Sequence, residues 1–262
     1  QETRVAVIEQ GVTQEVHVER ASSRGLVGNI SMGRVIRVLP GMQSAFIDIG
    51  GERAAFLHVA DIWGSRHNAE LSTPIEKLLT EGQNLMVQVV KDPIGTKGAR
   101  LSTQISIAGR FLVYLPQESH IGISQRIEDE EERQHLREKL QQQLPPDEKG
   151  GFIIRTMAEN ASDRGLAADI EYLRKLWHGI QERAQTAAPL TGFYQDLNLS
   201  LRVLRDFVHE ETTRILIDSR ETFQSMQTFA REFIPTVVER IAHYEGERPL
   251  FELYSVEDEI EK

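Results

Sequence analysis

Gly-Arg-Val-Ile-Arg-Val-Leu-Pro-Gly-Met-Gln-Ser-Ala-Phe-Ile-Asp-Ile-Gly-Gly-Glu-Arg-Ala-Ala-Phe-Leu-His-Val-Ala-Asp-Ile, residues Gly33 to Ile62, reads as three short strands. The first, Arg34–Leu39, is stopped by Pro40-Gly41; the second, Ser44–Ile49, ends at Gly50-Gly51; the third runs Arg53–Leu57. Glycine pairs supply the positive φ of tight hairpins, so the segment is a β-meander. In the second strand Ala45, Ile47 and Ile49 share one face, and Ser44, Phe46 and Asp48 the other. Phe46 therefore stands among polar neighbours, where an aromatic ring on a small barrel can stack a nucleic-acid base. The place of Phe56 depends on the loop after Ile49. A two-residue Gly50-Gly51 turn pairs it with Ala45 and buries it, whereas a three-residue loop including Glu52 pairs it with Phe46 and exposes both. Both rings in the barrel core is the third arrangement open at this level.

The rest of the chain sets bounds on what such a barrel serves. Its 262 residues suffice for one large core or two to three small ones. With 30 Lys and Arg against 40 Asp and Glu the net charge is −10, unlike a broadly basic polyanion binder. The charge is uneven. Residues 24–110 carry ten Lys/Arg against seven Asp/Glu, a net of +3, which leaves −13 on the remainder. That favours a confined RNA groove. Cysteine is absent, which excludes disulfides and thiolate metal sites in this chain. No run approaches the length of a membrane span and no signal peptide is visible, so the expectation is a cytoplasmic protein. The chain begins at Gln1 and ends at Lys262 inside an acidic amphipathic run, as if cut at both ends.

Read in order, Thr3–Ile8 and Gln14–Glu19 form a hairpin about Gly11, with Val5 and Val7 facing away from Ala6 and Ile8. It is too small to stand alone and must pack on a later part of the chain. His17 is a paired strand residue rather than a metal ligand, since no carboxylate or second histidine stands at a ligand-like spacing. From Arg24 to about Thr103 comes the barrel, interrupted by a polar insertion at Trp63–Leu71 and a short helix at Pro74–Thr80, with a further strand at Leu85–Lys91. Gly95-Thr96-Lys97-Gly98 is a tight loop carrying one cation; it lacks the spacing and the Lys-Ser/Thr of a P-loop. Then follow an apolar strand at Phe111–Leu115, a charged helix at Glu128–Leu144 stopped by Pro145-Pro146, and a buried strand Phe152–Ile154 that delivers Arg155-Thr156. The helix Ser162–Ala184 turns Leu166, Ile170, Leu173, Leu176, Trp177 and Ile180 inward. After Ala187-Ala188-Pro189 come a helix at Leu201–Val208, a strand at Arg214–Ile217, a helix at Thr222–Phe233 and another short helix at Pro235–Tyr244. This tail supplies the partner the first hairpin needs, giving one discontinuous domain with the other modules inserted. Asp196, Asp206, Glu210 and Asp218 show no spacing that makes a two-metal carboxylate site.

Arg155-Thr156 is the sharpest constellation. A guanidinium and a hydroxyl together at a strand end, beside glycine backbone at Gly109, can grip a terminal phosphate by a fork and short hydrogen bonds. On chemistry alone an ordinary surface arginine accounts for the pair as well.

Several stretches together resemble the RNase E/RNase G family. Gly33-Arg34-Val35, Ala45-Phe46-Ile47-Asp48-Ile49-Gly50 and Ala55-Phe56-Leu57-His58 look like its S1-type OB-fold, with Val87–Asp92 and Gly95–Ala99 continuing the match. Gly122-Ile-Ser-Gln-Arg-Ile-Glu128 and Gly151-Phe-Ile-Ile-Arg-Thr156 look like the two signatures of its 5′-sensor. The resemblance implies an α+β fold: an RNase H-like domain without cleavage chemistry (1–24 and 197–262), an S1-type OB-fold barrel (25–103) and a 5′-sensor module (104–196). It assigns Phe46, Phe56 and Lys97 to RNA contact. It gives Arg155 and Thr156 the 5′-monophosphate, with backbone at Val113 and Gly109 completing the pocket and Arg126 in support. It covers nearly all of this chain but only the front half of a family member. In such a protein, cleavage belongs to a following DNase I-like subdomain with two aspartates and Mg2+, and a paired-cysteine Zn2+ motif links subunits of a homo-oligomer. No catalytic residue and no metal site is thus expected in this chain. The implied role is the recognition half of an endoribonuclease for single-stranded RNA with a 5′-monophosphate, serving rRNA maturation and mRNA decay. Two departures stand out: Gln125 where RNase E has a second arginine, and Ser31-Met32 where the family has Tyr-Lys. A stand-alone RNA-binding module built on the same barrel is the alternative; it leaves Arg155-Thr156 and the split hairpin without a role.

Overall fold

A computed structural model describes residues 1–64 and 73–262, so most of the polar Trp63–Leu71 insertion lies outside the described residues. The chain divides into two compact units, residues 25–196 and a second made of 1–24 with 197–262. In chain order the second unit contributes β1 (Glu2–Glu9) and β2 (Val12–Arg20). Residues 25–196 then hold β3 (Ile30–Leu39), β4 (Ser44–Asp48), β5 (Ala55–His58), α1 (Ile75–Leu78), β6 (Asn84–Lys91) and β7 (Arg100–Ser102). They continue through β8 (Ile107–Ala108), β9 (Leu112–Leu115), β10 (Ile121–Ile123), α2 (Glu130–Gln143), β11 (Gly151–Ile154), α3 (Asp163–Gln185) and β12 (Gly192–Tyr194). The second unit resumes with α4 (Leu199–Arg202), β13 (Ile215–Ile217), α5 (Arg220–Phe233) and β14 (Ile241–His243).

Strands β3 to β7 close a five-stranded barrel in the order β3-β4-β5-β7-β6, with β6 returning to β3. The β5–β7 contact is parallel, the others antiparallel. This closure is that of an OB-fold. Alternation places Val35, Ala45, Ile47, Ala55, Leu57, Val87, Val89 and Leu101 inside, and Ile75 of α1 is fully buried with them. The parallel contact depends on Gly98. A Cβ there would run into the Ala54 carbonyl, and without one the Phe56 N–H donates to the Ala99 carbonyl at 2.8 Å.

The module that follows is a sheet ordered β10-β11-β9-β8, in which only β10–β11 is parallel, covered by α2 and α3. Asp129 caps α2 and Ser162 caps α3, each accepting a hydrogen bond from a first-turn N–H. Leu136 and Leu140 of α2 meet Leu166, Ile170, Leu173 and Ile180 of α3 over Leu112, Phe152 and Ile154. The barrel and this module share apolar packing: Ile30 of β3 belongs to the module's core, and so does Phe193 of β12, the strand that pairs with β3. Gln88 ties the two polar edges, donating to the Gly28 and Ser106 carbonyls and accepting from the Ser106 N–H.

In the second unit, Gln10 and Gly11 take positive φ at the turn of the β1–β2 hairpin. Val5 packs with Val203, Leu204, Met226 and Ala230, and Arg202 pairs with Glu19 at 2.9 Å. His17 lies opposite Val5 in the ladder and stacks on Phe207, ring centroids 4.7 Å apart. The helix expected over Pro235–Tyr244 is a correction. Pro235–Arg240 is a 3₁₀ segment, and Ile241–His243 is a strand parallel to β13. Three residues show no readable period, and their partner lies far back in the sequence, so local pattern could not reveal them.

Candidate nucleic-acid interface

On the barrel's outer surface the register resolves the open question about Phe56. Phe46 pairs with Phe56 and Ala45 with Leu57, the register of a three-residue loop, so the two rings share a face. Phe46 is 37% exposed and Phe56 half-buried, with centroids 6.3 Å apart and rings inclined at 64°. Edge-to-face rings cannot sandwich one base; each offers its own face. Lys97 is exposed in a tight turn closed by reciprocal backbone bonds with Ile94 (3.0 and 3.1 Å), with Gly95 at φ 58°.

The second constellation sits where β11 ends. Arg155 follows the last buried residue of the strand, and its N–H donates to the Phe111 carbonyl at 2.8 Å. Its guanidinium Nη1 donates to the Gly109 carbonyl at 2.6 Å, which fixes the plane of the fork. Thr156, exposed, opens the 3₁₀ turn Thr156–Asn160, and its hydroxyl lies 3.3 Å from that of Ser124. Ser124 Oγ also accepts from the Arg126 N–H at 3.3 Å. Arg155 and Gly109 are therefore joined by a hydrogen bond, Thr156 follows Arg155 directly, and Arg126 meets Ser124 through its backbone N–H alone.

Val113 takes a different part from the one expected of it. It lies in β9 opposite Ala108 on one side and Ile153 on the other. Antiparallel hydrogen-bonded pairs recur every second residue. The bond from Arg155 to Phe111 therefore makes Ile153 and Val113 the next bonded pair. The Val113 N–H is directed into the ladder rather than toward a ligand, and its half-buried side chain, on the face shared with Ile153, is what it can present.

Asp169, absent from the sequence-based site, organises the loop under Arg155. It is 7% exposed on α3, and its carboxylate accepts the N–H groups of Arg110 (2.9 Å, on Oδ1), Phe111 (2.9 Å) and Leu112 (3.0 Å, both on Oδ2). Burial pushes its carboxyl above the usual carboxylate range, while the three N–H donors and the Arg155 charge pull the other way. Gly109 is glycine for this reason: a Cβ would stand 2.5 Å from Asp169 Oδ1, inside contact distance of an immobilised group. The sequence does carry a signal for Asp169. It falls on the apolar stripe of α3, between Leu166 and Leu173, where an acid survives only with dedicated partners.

Among the described residues no three His, Asp or Glu are gathered as a metal-binding group. Asp206 is held by its neighbour Arg205 at 3.0 Å, and Asp196 belongs to the other unit. No helix of the described residues is long and apolar enough to cross a membrane.

Ribonuclease G of Salmonella typhimurium (strain SL1344) and that of Escherichia coli (strain K12) are each 48% identical over 268 aligned positions, covering 100% of this chain and 54% of the relative. Ribonuclease E of Buchnera aphidicola subsp. Schizaphis graminum is 34% identical over 271 positions, covering 27% of that protein. The chain thus spans about half the length of its ribonuclease G relatives. The model of the Ribonuclease E/G family matches residues 106–262, from β8 to the chain's last residue. With more than half of its residues inside that match, the chain belongs to the ribonuclease E/G family.

Proposed function

We propose that this chain is the RNA-recognition half of an RNase G-like endoribonuclease selective for single-stranded RNA with a 5′-monophosphate. In this reading the barrel is an S1-type domain that stacks bases on Phe46 and Phe56 and offers Lys97 to a phosphate. The β8–β11 module is the 5′-sensor, and the unit of 1–24 with 197–262 is an RNase H-like fold that scaffolds rather than cleaves. The observation that carries it is the Arg155 fork, fixed on the Gly109 carbonyl at 2.6 Å beside the Thr156 hydroxyl, in a chain 48% identical to ribonuclease G. A terminal phosphate is dianionic and small enough for one fork and one hydroxyl. A 5′-hydroxyl leaves both donors without a charged partner.

The whole protein would act in the cytoplasm as a homo-oligomer in rRNA maturation and mRNA decay. Magnesium in the segment that performs cleavage would activate water for phosphodiester hydrolysis, and zinc would join subunits. In this reading every role assigned to this chain is one of binding and orientation.

The test is a titration of wild type and Arg155→Gln with matched single-stranded oligonucleotides at one fixed salt concentration, since phosphate contacts are salt-dependent. A hydrogen bond to a charged group contributes about 1.5–3 kcal/mol, so wild type should prefer the 5′-monophosphate by on the order of tenfold or more. Arg155→Gln should erase that preference and leave 5′-hydroxyl RNA nearly unaffected. Equal weakening of both RNAs would make Arg155 a structural or general backbone contact.

A further inference from the structure

Ser124 stands behind Thr156 and is held there through its backbone. It follows the last residue of β10, half-buried in a loop whose flanking Ile123 and Ile127 are in the core. Its N–H donates to the Ile154 carbonyl at 2.8 Å, which extends the parallel pairing of β10 with β11 and ties Ser124 to the strand end that delivers Arg155 and Thr156. Its carbonyl accepts from the Ile127 N–H at 3.2 Å and from Arg133 Nη1 at 2.9 Å. The same Arg133 nitrogen donates to the Ile127 carbonyl at 2.9 Å, so a guanidinium from the start of α2 closes the loop 124–127. With its backbone fixed in this way, the Ser124 hydroxyl accepts the Arg126 N–H at 3.3 Å and lies 3.3 Å from Thr156 Oγ1.

From these bonds we infer that Ser124 is a positioning residue for selection of the 5′-phosphate: its hydroxyl orients that of Thr156 toward the ligand, and Arg133 holds Ser124 in place to do so. The inference rests on the reading of this module as a 5′-sensor and adds two residues that act through Thr156. The argument is one of donors and acceptors. A hydroxyl has one hydrogen to give and two lone pairs to receive with. The Arg126 N–H can only donate, so it occupies a lone pair of Ser124 Oγ and leaves the Ser124 hydrogen to be given elsewhere. The Thr156 oxygen is an acceptor within reach. A phosphate dianion offers acceptors alone, so Thr156 can bind it only by donating. If Ser124 donates to Thr156, the Thr156 hydrogen is left for the phosphate; the opposite orientation spends that hydrogen on Ser124. The bound dianion therefore selects one direction along the chain from the Arg126 N–H through Ser124 and Thr156 to the phosphate, and each bond in such a chain polarises the next. A serine that only shaped the turn 124–126 would need the Arg126 bond and nothing more.

The experiment measures, at one fixed salt concentration, the ratio of affinities of the 262-residue chain for 5′-monophosphate and 5′-hydroxyl single-stranded RNA. It compares wild type, Ser124→Ala, Ser124→Thr, Thr156→Val, the Ser124→Ala/Thr156→Val double variant, Arg133→Gln alone and beside Ser124→Ala, and Arg155→Gln. Ser124→Ala should lower the ratio by about two- to tenfold, the fold-change of one neutral hydrogen bond, and Ser124→Thr, which keeps the hydroxyl, should retain it. Beside Thr156→Val, which keeps the shape of Thr156 without its hydroxyl, Ser124→Ala should change the ratio no further, because residues acting through one bond are not additive. Arg133→Gln should lower the ratio on its own and leave it unchanged beside Ser124→Ala. If Arg155→Gln erases the preference while Ser124→Ala keeps the wild-type ratio, or lowers it equally beside Thr156→Val, the sensor stands and this role for Ser124 is refuted. A further fall from Arg133→Gln beside Ser124→Ala would refute the part given to Arg133. If wild type itself shows no preference, the sensor reading falls, and the role of Ser124 with it.

Discussion

Replacing Asp169 by asparagine removes one charge and exchanges one acceptor for a donor, at almost constant volume. In the best orientation the new carbonyl oxygen occupies the Oδ2 position and keeps the Phe111 and Leu112 N–H bonds, while the new NH2 faces the Arg110 N–H, donor against donor. One hydrogen bond to a charged acceptor is lost, at about 1.5–3 kcal/mol, and the two kept bonds fall toward the 0.5–1.5 kcal/mol of neutral pairs. Relief from burying a charge returns part of this. The net expectation is a destabilisation of about 2–4 kcal/mol, in the range of breaking a buried network. The loop 109–112 should also shift, and with it the Gly109 carbonyl that orients Arg155, so selection of the 5′-monophosphate should fall. The assay pairs denaturant unfolding with titration of 5′-monophosphate and 5′-hydroxyl RNA. Leu166→Ala, on the same helix and 1% exposed, is the comparison. It should cost a similar 2–5 kcal/mol through its cavity yet keep the preference, because it leaves the carboxylate in place. Wild-type stability in Asp169→Asn would refute the network. Equal loss of preference in both variants would show that the pocket responds to any weakening of the module.

Phe46→Ala should weaken RNA binding by roughly 1–3 kcal/mol, the worth of a base–aromatic stack, and lower stability less than truncation of a buried phenylalanine; a large fall in melting temperature with unchanged affinity would make it a core residue. Tyr114, 4% exposed, donates to Glu148 at 2.9 Å, and burial first, then that bond and charge, push its hydroxyl pKa upward. The unfolded phenol ionises near 10 while the folded one keeps its proton, so stability should decline as pH rises past about 10, and Tyr114→Phe should flatten that decline in alkaline unfolding curves; parallel curves would contradict it. Purified chain should bind RNA without cutting it, with or without magnesium, as the family resemblance places the cleaving aspartates elsewhere; magnesium-dependent products that co-purify with the chain would overturn this.

Local pattern carried much of the architecture. The alternation of Ser44–Asp48 puts Ala45 and Ile47 inside and Phe46 outside, because side chains alternate strictly along a strand wherever it pairs. The spacing of Leu166, Ile170, Leu173 and Ile180 likewise determined the buried face of α3, and the short apolar run Phe152–Ile154 determined that Arg155-Thr156 stands at a strand end. What the tertiary structure decided depends on partners distant in sequence. The face taken by Phe56 follows from hairpin register, which the glycines around it leave open. The strand Ile241–His243 exists because β13 is beside it. The direction of the Val113 N–H follows from the pairing of β9 with β11. Asp169 shows the same division. An acid on an apolar stripe announces buried partners, but only the approach of residues 110–112, some sixty positions earlier, shows that those partners are the backbone N–H groups of the loop under Arg155.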